Sequence, residues 1–297
     1  MEKRKFSHKL KTEYLGRGFV TCCGLLIVFL TLAILIFLSS KGLSTFIKDG
    51  YSLREFLFSS QWQPDNKNPK LGALIFIAGS TFVSIGAVVI SAPIAIALAI
   101  FMHYISPRLG EKVVQPALEL FVGIPSVVYG WIGLSVLLPF LKGIFGGTGF
   151  SLIAGILVLS VMILPTIASI SADAVKIIPK SYVEASYGLG ATRWQTISKV
   201  IVPAAKSGIL TGVVLGLARA FGEALAVQMV IGNSIKFPKS LYDSTSTLTS
   251  ILTMDMGNTF TGTMWNNALW SLALLLLIIS FVFIIILRSI EKRGEIK

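Results

Sequence analysis

Residues 181–203 read SYVEASYGLGATRWQTISKVIVP, and the folding of this stretch decides what the rest of the chain must be. It lies between two long apolar runs, yet it is polar and dense in signals that start and stop helices. Pro179 ends whatever helix precedes it, since proline lacks an N–H and restricts its neighbour. Ser181 followed by Glu184 has the spacing of a capping box, in which hydroxyl and carboxylate satisfy free N–H groups reciprocally, so a short helix is expected to begin there. Gly188 and Gly190 permit the left-handed turn that ends it. Thr192 is placed to cap a second helix running through Trp194 and Ile197 toward Pro203. The expected product is a helix–turn–helix on the surface of a larger body, within a loop spanning residues 173–206.

That larger body is a membrane protein. Of 297 residues 54% are hydrophobic and 13% charged, about half the charge of an average soluble domain. Uncharged or nearly uncharged runs extend over 18–40, 71–102, 120–141, 143–172, 207–236 and 256–287. Each reaches the ~20 residues that a helix needs to cross hydrocarbon. Six spans put both termini on one side. With that side inside, the inner segments hold 17 basic residues against 8 in the outer loops, which places both termini in the cytoplasm. The net charge of +12 is thereby spent on topology and anionic lipid, not on nucleic acid. Cys22 and Cys23 fall inside the first run and are expected to be packing residues. That run is too long for a signal-peptide core and reads as an uncleaved span. In the outer segment 41–70, Leu53, Phe56, Leu57 and Trp62 suggest a short helix lying in the membrane interface, and Trp62 and Trp265 belong to the outer aromatic belt. Pro93, Pro125, Pro165 and Pro203 interrupt spans and free carbonyls, so their helices are expected to line protein or water.

Two charges lie inside the fifth run. Arg219 is 13 residues beyond Lys206, about 20 Å of helix, and Glu223 follows at i+4 on the same expected face, where the two can pair. Each costs roughly 2.5–3.5 kcal/mol at a helix centre, which makes both candidates for a functional site. An arginine fork suits an oxyanion. Pro125 and Ser126 are expected to break the third span near its outer half, exposing N–H groups and a hydroxyl to an anion. The glycine-rich stretch 143–149 reads as a turn, because it lacks the lysine and spacing of a phosphate loop. His8 and His103 are isolated, so neither a metal site nor a histidine-based catalytic centre is expected.

Glu184-Ala185-Ser186, Gly190 and Val200-Ile-Val-Pro203 resemble the EAA motif of ABC importer permeases, with its spacing intact and with Ser186 in place of Ala. Arg219-Ala-Phe-Gly-Glu223 and Ile124-Pro-Ser-Val-Val-Tyr-Gly130 resemble segments of the phosphate-specific permeases, and Met162–Pro165 and Leu189–Trp194 agree with them. The segment from Phe56 to Pro64 is more similar to the PstC type than to its PstA sister. The resemblance implies an all-α integral membrane protein with six transmembrane helices: a peripheral first span with residues 1–70, then a five-helix MetI-like core over 71–297. It implies that Glu184, Ala185 and Gly190 seat the coupling helix on an ATPase, and that Arg219 and Glu223, with Ser126 added from the helix break, line a substrate path. The implied partners are a PstA-like permease, two PstB-like ATP-binding subunits, a PstS-like extracytoplasmic phosphate-binding protein and the lipid bilayer, with no cofactor and no enzymatic reaction on this chain. The rival readings are an ABC permease for another oxyanion and an ion-coupled secondary transporter.

Overall fold

The computed structural model describes residues 15–294. The basic residues at 1–14 and 295–297, and His8, lie outside the described residues. Helix α1 (Leu15–Gly42) packs beside the last helix and turns most of its side chains, Cys22 included, away from protein. The expectation that Cys22 packs is therefore not met. After it come α2 (Leu53–Phe58) and a small antiparallel hairpin, β1 (Trp62–Gln63) with β2 (Lys70–Leu71), which pairs Trp62 with Leu71. Phe56 and Trp62 are buried against Phe76, Leu248 and Leu269. Phe56 and Trp62 thus fasten this segment to one end of the core, on protein up to 213 positions away in the chain, while Leu53 and Phe58 stay exposed.

The core follows. Helix α3 (Leu74–Ile100) lies against α7 (Leu152–Lys176), the most buried of the long helices. Pro165 of α7 faces the core, whereas Pro93 of α3 is exposed. The third span is α4 (Gln115–Gly123), a break at Ile124–Pro125, then α5 (Ser126–Ile132), a π-wound turn and α6 (Leu138–Phe145). Tyr129 Oη donates to the Phe121 carbonyl at 2.8 Å across that break. The turn after α6 is left-handed at Gly146, Gly147 and Gly149, as expected of its glycines.

The loop carries α8 (Lys180–Gly188) and α9 (Arg193–Thr196), the latter continuing through a π turn to Ala204. A 67° bend then starts α10 (Lys206–Gly222). Three glycines spaced by four lay α10 on α7 at contact distance. A Cβ at Gly208 would come within 2.3 Å of Ala174, and one at Gly216 within 2.5 Å of Ile167; Gly212 faces the Ile167 carbonyl. At 17 residues α10 is about 26 Å long, and α11 (Leu225–Ile231) follows it after an unwound pair. The chain then dips back as α12 (Leu248–Asp255) before α13 (Met264–Gly294). Among the described residues five helices are long and apolar enough to cross a membrane, and the bent pair Arg193–Ala204 with α10, counted as one span, makes six.

Candidate functional sites

Close packing of α10 on α7 brings Arg219 beside the middle of α7, where its Nη1 donates to Thr166 Oγ1 at 2.8 Å. The expected pair with Glu223 is not formed. The helix stops at Gly222, and Glu223 takes an extended backbone (φ −75°, ψ 124°), which swings its side chain off the face that Arg219 occupies. Glu223 instead accepts at one carboxylate oxygen from the Ala226 N–H, 3.0 Å away, and so caps α11; its carbonyl accepts from Thr249 Oγ1 at 2.9 Å. The i+4 rule holds only within an unbroken helix. Here a glycine, which weakens a helix by about 1 kcal/mol, and a carboxylate with a new helix start to cap combine to break it.

A hydroxyl-rich strip meets Glu223 from the other side. Residues 244–250 read STSTLTS, and from Thr245 onward all are buried. The strip is held by the Leu248 N–H donating to Ser80 Oγ at 2.9 Å, and by a capping box between Thr247 and Ser250. Gly79 admits it: a Cβ there would lie 2.1 Å from the Ser246 carbonyl oxygen. Ser80, Ser84, Glu223, Thr247 and Thr249, with Val83, Ala220, Phe221 and Val227, line a partly open cavity of about 10 Å³, room for roughly one water. Sequence reasoning passed over this segment as loop, although six hydroxyl residues in seven were the signal to find it.

Ser126 sits at the start of α5, half-buried, with no hydrogen bond to Arg219 or Glu223. Gly133 abuts Val158, so Ser126, two turns before it, lies at about the depth of Pro165 and Thr166. The break is present as expected, directly before Ser126–Phe145, the part of this span long and apolar enough to cross a membrane. Tyr129, one turn on, is within electrostatic reach of Arg219. Helix α11 packs on α5 through Gly130, against Ala226 and Met229. Two broken helices thus converge at the level of one arginine, one glutamate and a set of hydroxyls.

At the far end of α10 the loop is built as expected in outline, with different caps. Helix α8 starts at Lys180 with Pro179 before it, and Ser181 and Glu184 form no capping box. The box belongs to Thr192 and Gln195, where the Thr192 N–H donates to Gln195 Oε1 at 2.8 Å. Pro179 takes the N-cap position and Lys180 the first helical one, so Ser181 already lies inside the helix, where it cannot cap it. Gly190 alone takes the left-handed conformation (φ +80°), while Gly188 stays helical. Ser186, the departure from the EAA pattern, is buried and shares a 2.9 Å hydrogen bond with Thr196 that ties α8 to α9. Glu184, Ala185 and Gly190 are all exposed, Glu184 lining a cavity that it shares with His103 and Lys176. Sequence reasoning missed the apolar crown beside them: Leu189 is 90% and Trp194 72% exposed. Among the described residues no three His, Cys, Asp or Glu side chains cluster to hold a metal.

Residues 95–295 match the family described as the binding-protein-dependent transport system inner membrane component. The chain is 56% identical over 285 residues to a probable ABC transporter permease protein, YqgH, of Bacillus subtilis, covering 96% of this chain and 92% of that one. It is 36% identical over 278 residues to the phosphate transport system permease protein PstC of Mesorhizobium japonicum, covering 86% and 81%. In fold it is similar to a chain of the inward-facing MetNI methionine ABC transporter, with a TM-score of 0.56 at 22% identity over 76% of this chain and 95% of that one.

Proposed function

The chain belongs to the family of binding-protein-dependent transport system inner membrane components, the MetI-like ABC permeases, and from that premise we propose that it moves inorganic phosphate. One observation carries the choice of anion. Arg219 and Glu223 lie at neighbouring depths but do not neutralise each other, so the site offers a charged donor fork and a carboxylate acceptor together. Phosphate at neutral pH fits both, because it has bare oxygens to accept and a P–OH to donate. Sulfate, molybdate and tungstate have no proton to give and meet Glu223 as a like charge. A buried polar group left unpaired by the wrong ligand is the strongest discriminator such a site has. The phosphate transport relatives agree with this choice.

In this reading the membrane path is shared with a PstA-like permease, the α8–α9 loop seats on one of two PstB-like ATP-binding subunits, and a PstS-like protein delivers phosphate to the hairpin end. Both termini are cytoplasmic. ATP binding closes the ATPase pair and turns the paired permeases outward; product release returns them inward, a two-state gate biased by its ligands. The chain itself transports and does not hydrolyse. Uptake of labelled phosphate by the complete complex in proteoliposomes tests this. Arg219→Lys, which keeps charge and loses the fork, and Glu223→Gln, which loses the acceptor, should each cut uptake strongly. Wild-type uptake by both variants, or flux driven by a proton or sodium gradient without ATP, overturns it.

A further inference from the structure

Arg193 opens α9, but its side chain leaves the loop. Its Nη2 donates to the main-chain carbonyls of Tyr104 and Ile105, the latter at 3.2 Å. These carbonyls end the π-wound turn Phe101–Ile105, with which α3 terminates before Ser106 breaks away. Terminal carbonyls are of the kind a helix leaves without internal partners, and a guanidinium at a helix C-terminus is favoured both as a forked donor and by the helix dipole. The contact joins residues 88 and 89 positions apart. Nearby, Ile197 and Ile201 of the loop pack with Ile100 and Val175. Helix α8 meets the same cluster through the apolar Val183 and otherwise borders a cavity of about 340 Å³ lined by His103, Lys176 and Tyr187 among others. The polar tie between loop and second span therefore runs through α9.

The other end of α3 is the part that touches the path. Gly79 and Ser80 hold the hydroxyl strip, and Ser80 and Ser84 wall the cavity at Glu223. The 27-residue helix α3, with Pro93 inside it, thus leads from the glutamate's cavity to the turn that holds the loop's arginine. We propose that Arg193 is a positioning residue that conveys movement of the α8–α9 loop to the Glu223 cavity through α3. This rests on the transport reading above and adds its regulation. Loop displacement pulls on the carbonyl end of α3, and α3 moves Ser80 and Ser84 relative to Glu223. Without the guanidinium the loop keeps its exposed docking face and its Ser186–Thr196 tie, but its polar hold on α3 is gone.

The test uses the full complex in proteoliposomes, with phosphate moved per ATP hydrolysed as the readout and co-purification of the ATPase subunits as the control. Arg193→Ala should lower phosphate per ATP by at least about fivefold, the smallest effect typical of a site-to-site coupling, while the ATPase subunits still co-purify. Arg193→Lys, with one charged donor left for the carbonyls, should recover part of the ratio. Should Arg193→Ala fail to accumulate in the membrane, Arg193→Gln is read in its place, with the same loss of ratio expected. Unchanged phosphate per ATP overturns the proposal. So does loss of the ATPase subunits, which would make Arg193 part of the docking surface instead. Failure of the transport reading looks different: the wild-type complex would then hydrolyse ATP and move no phosphate.

Discussion

Around Arg219 and Glu223 the chain sets charges and hydroxyls in apolar surroundings, whereas at the α8–α9 loop it holds Leu189 and Trp194 in water at 90% and 72% exposure. Each region departs from ordinary burial preferences, in opposite directions. The interior group has internal partners: Thr166 for Arg219, the Ala226 N–H for Glu223, Ser80 for the strip. The loop's apolar crown projects outward. Substitutions inside should therefore remove chemistry and disturb packing together, while substitutions on the crown should leave the fold alone and affect only what docks there.

The largest expected effect is at Arg219. Arg219→Ala should abolish phosphate uptake, by roughly a hundredfold or more if each lost charged hydrogen bond is worth ~1.5–3 kcal/mol. Because Arg219 and Glu223 are not paired, the double variant Arg219→Ala with Glu223→Ala should be no better. Recovery of uptake in the double variant, normalised to protein in the membrane, would restore the ion-pair reading and erase the contrast between the two regions. Next comes Gly190→Val. A β-branched residue at φ +80° costs about 1–2 kcal/mol and distorts the α8–α9 turn. Phosphate uptake and co-purification with the ATPase should both fall, with the protein still inserted.

Leu189→Ser combined with Trp194→Ser sharpens the comparison directly. Thermal stability of the detergent-solubilised chain should stay within about 0.5 kcal/mol, as for surface changes, while ATPase binding weakens about tenfold or more. A large loss of stability would show that the crown is packed after all. The smallest effect is expected at Ser186. Ser186→Ala removes the bond to Thr196, worth about 1 kcal/mol, and returns the motif to its Ala form, so uptake should change less than twofold while loop amides exchange faster with deuterium.

The order of spans, the loop and its two helices, and the depth of Arg219 were all legible, because hydrophobic run length, turn glycines and caps act over a few residues. Ser181 has the spacing of a cap but lies inside α8, because the helix begins at Lys180, a difference of local chemistry confined to one helix start. The STSTLTS strip was overlooked for a different reason. Its hydroxyls read as loop until Gly79 and Ser80, some 168 positions away, provide the surface and the acceptor that bury it.

By itself the sequence determined that this chain crosses a membrane about six times, presents a two-helix loop at one end and carries two ionisable groups at mid-span. Each of those properties is a sum over contiguous residues. Only the tertiary structure decided which groups meet. Two unwound residues at Glu223 and Ala224 undo the helical register that would have paired Glu223 with Arg219. The glycines at 208, 212 and 216 then set how closely α10 approaches α7, and hence that Arg219 finds Thr166. Partner choice depends on side-chain direction and on the spacing between helices, and both are fixed by packing between residues far apart in the chain, where no local pattern reaches.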